Sequence, residues 1–114
     1  MYYTPPLFPV GQVVATSTVA GLVPQAHLMQ CLRRHMMGDW GCVCEEDAKT
    51  NNEAVEAGFR ILSAYAIDET QPCKGFGENT LWIITEADRS VTTFLLPPSL
   101  DPGKSSHHGT NFRL

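Results

Sequence analysis

The sequence has no long hydrophobic run and few basic residues, and each shortage excludes a class of protein. No apolar stretch approaches the roughly 18 residues that a membrane-spanning helix requires. Lysine and arginine number 8 against 12 acidic residues, which gives a net charge of −4. This balance disfavours broad, non-specific binding to nucleic acid, because such binding depends on many cationic contacts with phosphates. The N-terminal residues lack the basic and hydrophobic segments that direct export, so we expect a cytoplasmic location.

The residues that are present are typical of one folded domain. The chain has 114 residues, of which 43% are hydrophobic and 18% charged. A chain of this length buries roughly two thirds of its unfolded surface, which is enough to fold without covalent links. There are four cysteines, Cys31, Cys42, Cys44 and Cys73. We predict reduced thiols for them, because disulfides are rare in the cytoplasm.

Composition divides the chain into three segments. Proline and aromatic residues predict an extended N-terminal arm over residues 1–10. Residues 11–98 contain the regular hydrophobic patterns and are expected to form a single domain. Residues 99–114 contain glycine, serine and histidine without such a pattern and predict a flexible C-terminal tail.

The apolar spacing predicts two helices. The first covers residues 25–37, where apolar side chains recur at helical intervals, and Gly38 ends it. The second covers residues 45–57 and begins with three acids, which suit the positive end of the helix dipole. Gly58 is a natural residue to follow its last turn.

The remaining β-prone segments predict a small sheet. A first strand covers residues 11–16, and three more cover 59–67, 80–86 and 91–96. The last two are joined by four residues and form an antiparallel hairpin. The order β-α-α-β-β-β predicts an α+β fold with two helices packed on one face of a small, mostly antiparallel sheet.

Several long polar strings carry a family resemblance. They are Arg34-His35, Gly38-Asp39-Trp40-Gly41, Glu45-Glu46-Asp47, Leu62-Ser63-Ala64-Tyr65, the run from Leu81 to Thr93, and Leu95-Leu96-Pro97. These strings resemble a family of small proteins carried on bacterial plasmids, integrative elements and related mobile DNA, over roughly residues 8–98. The resemblance implies a mobile-element setting and no particular reaction. The chain departs from the family pattern in a long loop after the second strand, in its C-terminal tail and at Cys42.

The hairpin between the last two predicted strands concentrates polar chemistry. Glu86 and Arg89 flank its turn, and a short turn brings Thr92 near Glu86 across the ladder. A carboxylate, a guanidinium and a hydroxyl then share one end of the sheet. These residues also suit a salt-bridged hairpin without any catalytic role.

A catalytic interpretation adds residues from two other elements. His35 would act as general acid, Glu86 as general base, and Arg60 and Arg89 as stabilisers of the phosphorane in a metal-independent ribonuclease. The order of elements is similar to that of RelE-type and barnase-like ribonuclease toxins, although fold does not establish function. A histidine at a helix end also serves as a partner of the helix dipole. The candidate catalytic residues are His35, Arg60, Tyr65, Glu86, Arg89 and Thr92.

Four further residues are candidates for binding. Trp40, between two glycines, is either an exposed anchor or a core residue beneath a turn that Asp39 caps. Asp88 and Thr93 belong to the polar hairpin string. Cys42, Cys44, His35 and Cys73 are zinc-ligand types, but their spacing lacks a paired Cys-x-x-Cys, so we predict no metal and no cofactor.

The preferred functional hypothesis is an accessory protein-interaction module that binds a host or element-encoded protein, for example a component of host defence. Its acidic residues would compete with nucleic acid for the partner, or would simply form a solvated helix face. RNA is the partner under the ribonuclease alternative. The acidic residues in question are Glu45, Glu46, Asp47, Glu53 and Glu56.

Overall fold

The secondary structure confirms the α+β class. The computed structural model describes residues 5–98 and 111–113. In chain order its elements are β1 (Gln12–Thr16), α1 (Ser17–Leu22), α2 (Gln25–Met36), α3 (Glu45–Ala57), β2 (Ile61–Ala66), β3 (Thr80–Thr85), β4 (Val91–Leu95) and β5 (Asn111–Arg113). None of the helices in these ranges is long and apolar enough to cross a membrane.

The strands form one mixed sheet in the order β2-β3-β4-β1-β5. Pairs β2–β3, β3–β4 and β1–β5 are antiparallel, and for β3–β4 the short connection requires it. The pair β1–β4 is parallel and brings Ala15 opposite Phe94. The first strand therefore lies inside the sheet, beside the last strand of the predicted domain.

The short helix α1 was not predicted from the sequence. Thr16 ends β1 and caps α1, since its hydroxyl accepts from the Val19 backbone N–H at 3.4 Å. Val19 is buried against the sheet. The sequence signal was a threonine-serine cluster, which indicates a strand end as readily as a helix start.

Helix α2 packs its buried face against one face of the sheet. Its buried residues Leu28, Cys31 and Leu32 pack in one cluster with Ile83 and Phe94 of the central strands. The helical spacing that predicted α2 thus corresponds to its buried face.

Helix α3 lies at the outer edge of the sheet, beside β2. Ala54 packs with Ile61, Phe8 and Trp40 in a second core cluster. The Asn51 amide donates to the Leu62 carbonyl at 2.7 Å and accepts from the Leu62 N–H at 3.2 Å. This side chain pairs with the edge strand as a neighbouring strand would.

The register of the β3–β4 hairpin differs from the expected one. The pair across the ladder from Thr92 is Thr85, and the adjacent Glu86 N–H donates to Val91 at the start of the turn. Arg89 has a φ of 61°, which lets the connection close tightly. The sequence predicted Thr92 near Glu86 across the ladder. The structure pairs Thr92 with Thr85, the residue before Glu86, and adjacent residues of a strand point to opposite faces.

Both predicted terminal segments extend beyond the described residues. Within the N-terminal arm, Phe8 is buried and the Leu7 N–H donates to the Met36 carbonyl at 2.9 Å. Of the predicted C-terminal tail, residues 99–110 and 114 lie outside the described part of the chain. Residues 111–113 form β5, which the sequence did not predict.

Candidate functional site

His35, the predicted general acid, lies inside the protein. It stands in the last turn of α2 and is 0% exposed. Its Nδ1 atom is 2.5 Å from the Ser63 hydroxyl, and its Nε2 atom is 2.8 Å from the Thr85 hydroxyl. The rings of Phe8 and Trp40 meet the imidazole edge-on at centroid distances of 5.2 and 5.9 Å. Both ring nitrogens are therefore occupied by partners within the fold.

The hydroxyl groups around His35 determine its tautomer. Thr92 donates to the Val10 carbonyl at 2.7 Å, so its oxygen accepts the hydrogen of Thr85, 2.7 Å away. Thr85 then accepts from Nε2–H of His35, and Nδ1 accepts from Ser63. The four side chains form a continuous hydrogen-bonded chain, which we call the His35 network. Among the described residues, no buried side-chain nitrogen or oxygen lacks a partner.

Burial also sets the charge of His35. Desolvation, followed by repulsion from Arg89, lowers the pKa of His35 from 6.5 to about 3. The ring is consequently neutral near pH 7. A neutral, enclosed imidazole offers a substrate neither a labile proton nor access to one, so the geometry argues against the predicted catalytic role.

Arg89 joins the hairpin to the end of α3. Its guanidinium donates to the carbonyl oxygens of Phe59 at 2.7 Å, Ala54 at 2.8 Å and Glu86 at 3.2 Å. Its Cζ atom lies 5.5 Å from the centre of the Phe8 ring. A cation that binds the last carbonyls of a helix complements the helix dipole. These contacts give Arg89 a structural role in place of the predicted phosphorane contact.

Glu86 and Arg60, the predicted base and phosphate clamp, lie at the surface. The carboxylate is 3.7 Å from Arg60 Nε, and the two side chains are 41% and 62% exposed. His35 is enclosed while this pair faces water. Thr92 is thus linked to His35 through Thr85, and Glu86 forms an ion pair with Arg60. The predicted acid and the predicted base do not meet in one open cleft.

The turn after α2 is held by Asp39, one of the predicted binding residues. Its carboxylate accepts from Arg34 Nε at 2.7 Å and from Arg34 Nη2 and the Gly41 N–H at 3.2 Å. The hydrogen bond from Arg34 lowers the pKa of Asp39. Tyr65 donates to the Asp39 carbonyl at 2.7 Å, and burial raises the pKa of Tyr65. Tyr65 and Asp39 therefore serve to fix this turn against the sheet.

The other predicted binding residues also have partners within the fold. Trp40 is 5% exposed and donates from Nε1 to the Asn52 side chain at 2.9 Å, which supports the core interpretation over the exposed anchor. The Asp88 carboxylate accepts from the Ser90 N–H at 3.0 Å and from its hydroxyl at 2.6 Å. Thr93 is half-buried on β4.

Sequence reasoning missed three polar residues that the fold depends on. Ser63 and Thr85 are 0% exposed members of the His35 network, and Asn51 binds the edge of the sheet. A signal was present for each. Asn51 is a poor mid-helix residue, and Ser63 and Thr85 interrupt apolar strands, so each required a hydrogen-bond partner.

The cysteines differ from the prediction of four reduced thiols. Cys42 and Cys73 form a disulfide, whereas Cys31 is a buried thiol and Cys44 an exposed one. Burial raises the pKa of Cys31 to about 11. The bridging pair is 31 residues apart in sequence. No local pattern indicates that these two cysteines lie close together, because their proximity depends on how the segment after α2 lies along β2.

The disulfide lines a cavity of about 220 Å³. Nearby, His27 Nε2 lies 2.8 Å from the Ala66 carbonyl, and its Nδ1 lies 3.5 Å from the Glu69 carboxylate. We call this space the disulfide cavity. Its lining residues are Arg34, Gly41, Cys42, Tyr65, Ala66, Glu69 and Cys73.

Comparisons with known proteins add no relative. Neither a protein-family model, nor a curated protein, nor a solved structure matches the chain significantly. Within residues 5–98 and 111–113, no group of three or more histidine, cysteine, aspartate or glutamate residues is arranged to hold a metal ion.

Proposed function

We propose that this chain is a non-catalytic protein-interaction module, an accessory protein of a mobile genetic element that binds a host or element-encoded protein in the cytoplasm. The observation that carries the proposal is the internal use of its polar residues. His35, Thr92, Tyr65 and Arg89 are all hydrogen-bonded within the fold. A ribonuclease would require its acid and base to converge on one open site.

The exposed face of α3 supports a basic partner. Glu45, Glu46, Glu53 and Glu56 fall within an arc of about 100° on a helix of 3.6 residues per turn, opposite the buried Ala54. The exposed Lys49 lies within the same arc, so this face carries four carboxylates and one ammonium group. All four acids are exposed. Within the described part of the chain, none of them takes part in an ion pair. We call these four residues the acidic face.

An exposed aromatic side chain lies at the end of the same helix. Phe59 follows the C-cap residue Gly58 and is 64% exposed. Large aromatic side chains are enriched among the residues that contribute most to binding at protein interfaces. An apolar anchor beside a row of carboxylates suits a protein surface that otherwise binds nucleic acid, because such surfaces combine cations with apolar contacts.

A matched pair of charge reversals tests the proposal. The variant Glu53→Lys/Glu56→Lys changes the acidic face, and Glu69→Lys/Glu78→Lys makes the same change of charge in the β2–β3 loop. Cross-linking in host cells, followed by quantitative mass spectrometry, should show a partner whose recovery falls at least about tenfold in the first variant only. The recovered partner is then purified and titrated calorimetrically with both variants.

Equal recovery with both variants would contradict the proposed surface. The ribonuclease alternative has its own test, which uses the surface pair and leaves Arg89 in place. Metal-free RNA cleavage that is lost in Glu86→Gln and Arg60→Ala would contradict the non-catalytic assignment. We expect no cleavage by the unmodified chain.

A further inference from the structure

The disulfide joins two segments that are otherwise separately held. Cys42 lies in the segment that follows α2, where its N–H donates to the Ala64 carbonyl of β2 at 2.8 Å. Cys73 lies in the loop between β2 and β3. Their Cα atoms are 6.2 Å apart, which is within the usual range for a disulfide.

The bond is accessible to small molecules. Both cysteines line the disulfide cavity together with Arg34 and Glu69, whose side chains are 41% and 63% exposed. Both cysteines are themselves half-buried and border this open cavity, and access to a sulfur atom is a requirement for thiol–disulfide exchange.

Each sulfur atom also has a hydrogen-bond acceptor in place for its reduced form. Cys42 Sγ lies 3.4 Å from the Ala64 carbonyl oxygen. Cys73 Sγ lies 3.6 Å from the Thr80 hydroxyl. Reduction requires the two sulfur atoms to move apart from bonding distance to van der Waals distance, and each thiol then has an acceptor close by on its own side of the cavity.

The disulfide restrains one half of the β2–β3 loop. The first half is held independently, since the Asn79 amide donates to the carbonyls of Asp68, Gln71 and Pro72. The second half, residues 73–77, is held by the disulfide and by two hydrogen bonds from β3, namely Trp82 Nε1 to the Gly75 carbonyl and the Thr80 hydroxyl to the Phe76 carbonyl, each at 2.8 Å. We call residues 73–77 the loop tip.

We propose that Cys42 and Cys73 form a reversible thiol–disulfide site that responds to low-molecular-weight disulfides and controls whether the loop tip is clamped beside the cavity. In oxidation, one protein thiolate attacks a small disulfide and releases one small thiolate. The second protein thiolate attacks the resulting mixed disulfide, forms the internal bond and releases the second small thiolate. Two electrons pass to the small disulfide, and the two thiol protons go to the released thiolates.

Trypsin provides a direct readout, because the exposed Lys74 lies in the loop tip next to Cys73. The full chain is equilibrated in buffers of defined oxidised-to-reduced glutathione ratio, and cleavage after Lys74 is followed by mass spectrometry. We expect reduction to accelerate this cleavage about tenfold or more and reoxidation to restore the slow rate, because proteolysis follows local opening. Cleavage after Lys49 in α3 serves as the internal reference and should change little.

Three variants sharpen the test. Cys73→Ser and Cys42→Ser should each be cleaved rapidly after Lys74 at every glutathione ratio, while Cys44→Ser should behave as the unmodified chain does. Differential alkylation identifies which thiols are paired. The proposal is overturned if reduction leaves the Lys74 rate unchanged, if Cys44 is the partner of Cys73, or if the bond persists in reduced glutathione until the chain unfolds. The reduced unmodified chain keeps the test valid should a variant fold poorly.

Discussion

The His35 network and the disulfide cavity each gather polar or reactive side chains, but their surroundings are opposite. The first has a titratable ring whose nitrogens are both hydrogen-bonded and whose exposure is 0%. The second has a guanidinium, a carboxylate and a sulfur–sulfur bond around a space that reaches solvent. In the sequence analysis, the ribonuclease alternative assigned the general acid to His35 of the first region. Burial, and not residue type, decides which groups are available to react.

Removal of the imidazole should produce the largest effect on stability. His35→Ala leaves a cavity and deprives the buried Ser63 and Thr85 of a shared partner. We expect the free energy of unfolding to fall by roughly 3–5 kcal/mol, as measured by urea denaturation. The control is Arg33→Ala, at an exposed position on the same helix. This substitution should change the free energy of unfolding by no more than about 0.5 kcal/mol.

Lowering the pH should cause the second-largest loss of stability, because protons favour the unfolded state of His35. The unfolded histidine gains a proton below pH 6.5, whereas the folded one, with its pKa lowered to about 3, does not. Stability due to the neutral ring is present above pH 6.5 and is lost as pH falls, at about 1.4 kcal/mol per pH unit. Between pH 6.5 and 4.5 the loss should approach roughly 3 kcal/mol. His35→Gln should lack this slope, and an equal slope in that variant would contradict the assignment.

Arg89→Ala should have an intermediate effect. The substitution removes donors to the carbonyls of Ala54 and Phe59 at the end of α3 and the contact with the Phe8 ring. We expect a loss of about 1.5–3 kcal/mol, the range for hydrogen bonds that involve a charged group. Arg89→Lys should restore only part of it, because an ammonium cannot reproduce the forked geometry. Faster amide exchange near the C-terminus of α3 would locate the effect, and unchanged exchange there would exclude it.

Arg34→Ala, beside the disulfide cavity, should have the smallest effect. The Arg34–Asp39 pair is bidentate but about half exposed, with side-chain exposures of 41% and 54%. Exposed ion pairs of this kind contribute about 1 kcal/mol or less, and salt weakens them. Thermal unfolding of the unmodified chain and of Arg34→Ala, at low and at high salt, measures this difference in stability. A loss as large as that of His35→Ala would mean that the two regions do not differ as described.

The order of the main elements was predictable because each carries a local signal. The acids at the start of α3 and Gly58 at its end, with φ of 79°, gave its limits, and helical spacing gave α2. The parallel pairing of β1 with β4 had no such signal. Gly11, whose added Cβ would collide with the carbonyls of Arg89 and Ser90, shows how closely the hairpin turn approaches the start of β1.

The candidate site was less predictable than the fold because it depended on a register. A shift of one residue places Thr85 and Thr92 inside with His35 and leaves Glu86 in water. No local sequence pattern predicts this register of the β3–β4 ladder, because it depends on a turn in which Arg89 has a positive φ. The disulfide was unpredictable for a similar reason, because the contact of Cys42 with Cys73 requires the finished sheet edge.

Strand β1 lies between β4 and β5, so both of its neighbours in the sheet are synthesised long after it. Its neighbour β4 begins at Val91, and the hydrogen bond from Thr92 to Val10 spans 82 residues. A ribosome releases the N-terminal strand long before its partner exists, so the nascent chain carries an unpaired apolar strand for most of translation. Chaperones that recognise extended apolar segments should accordingly bind this strand until β4 emerges, and the sheet should then close in a single late step.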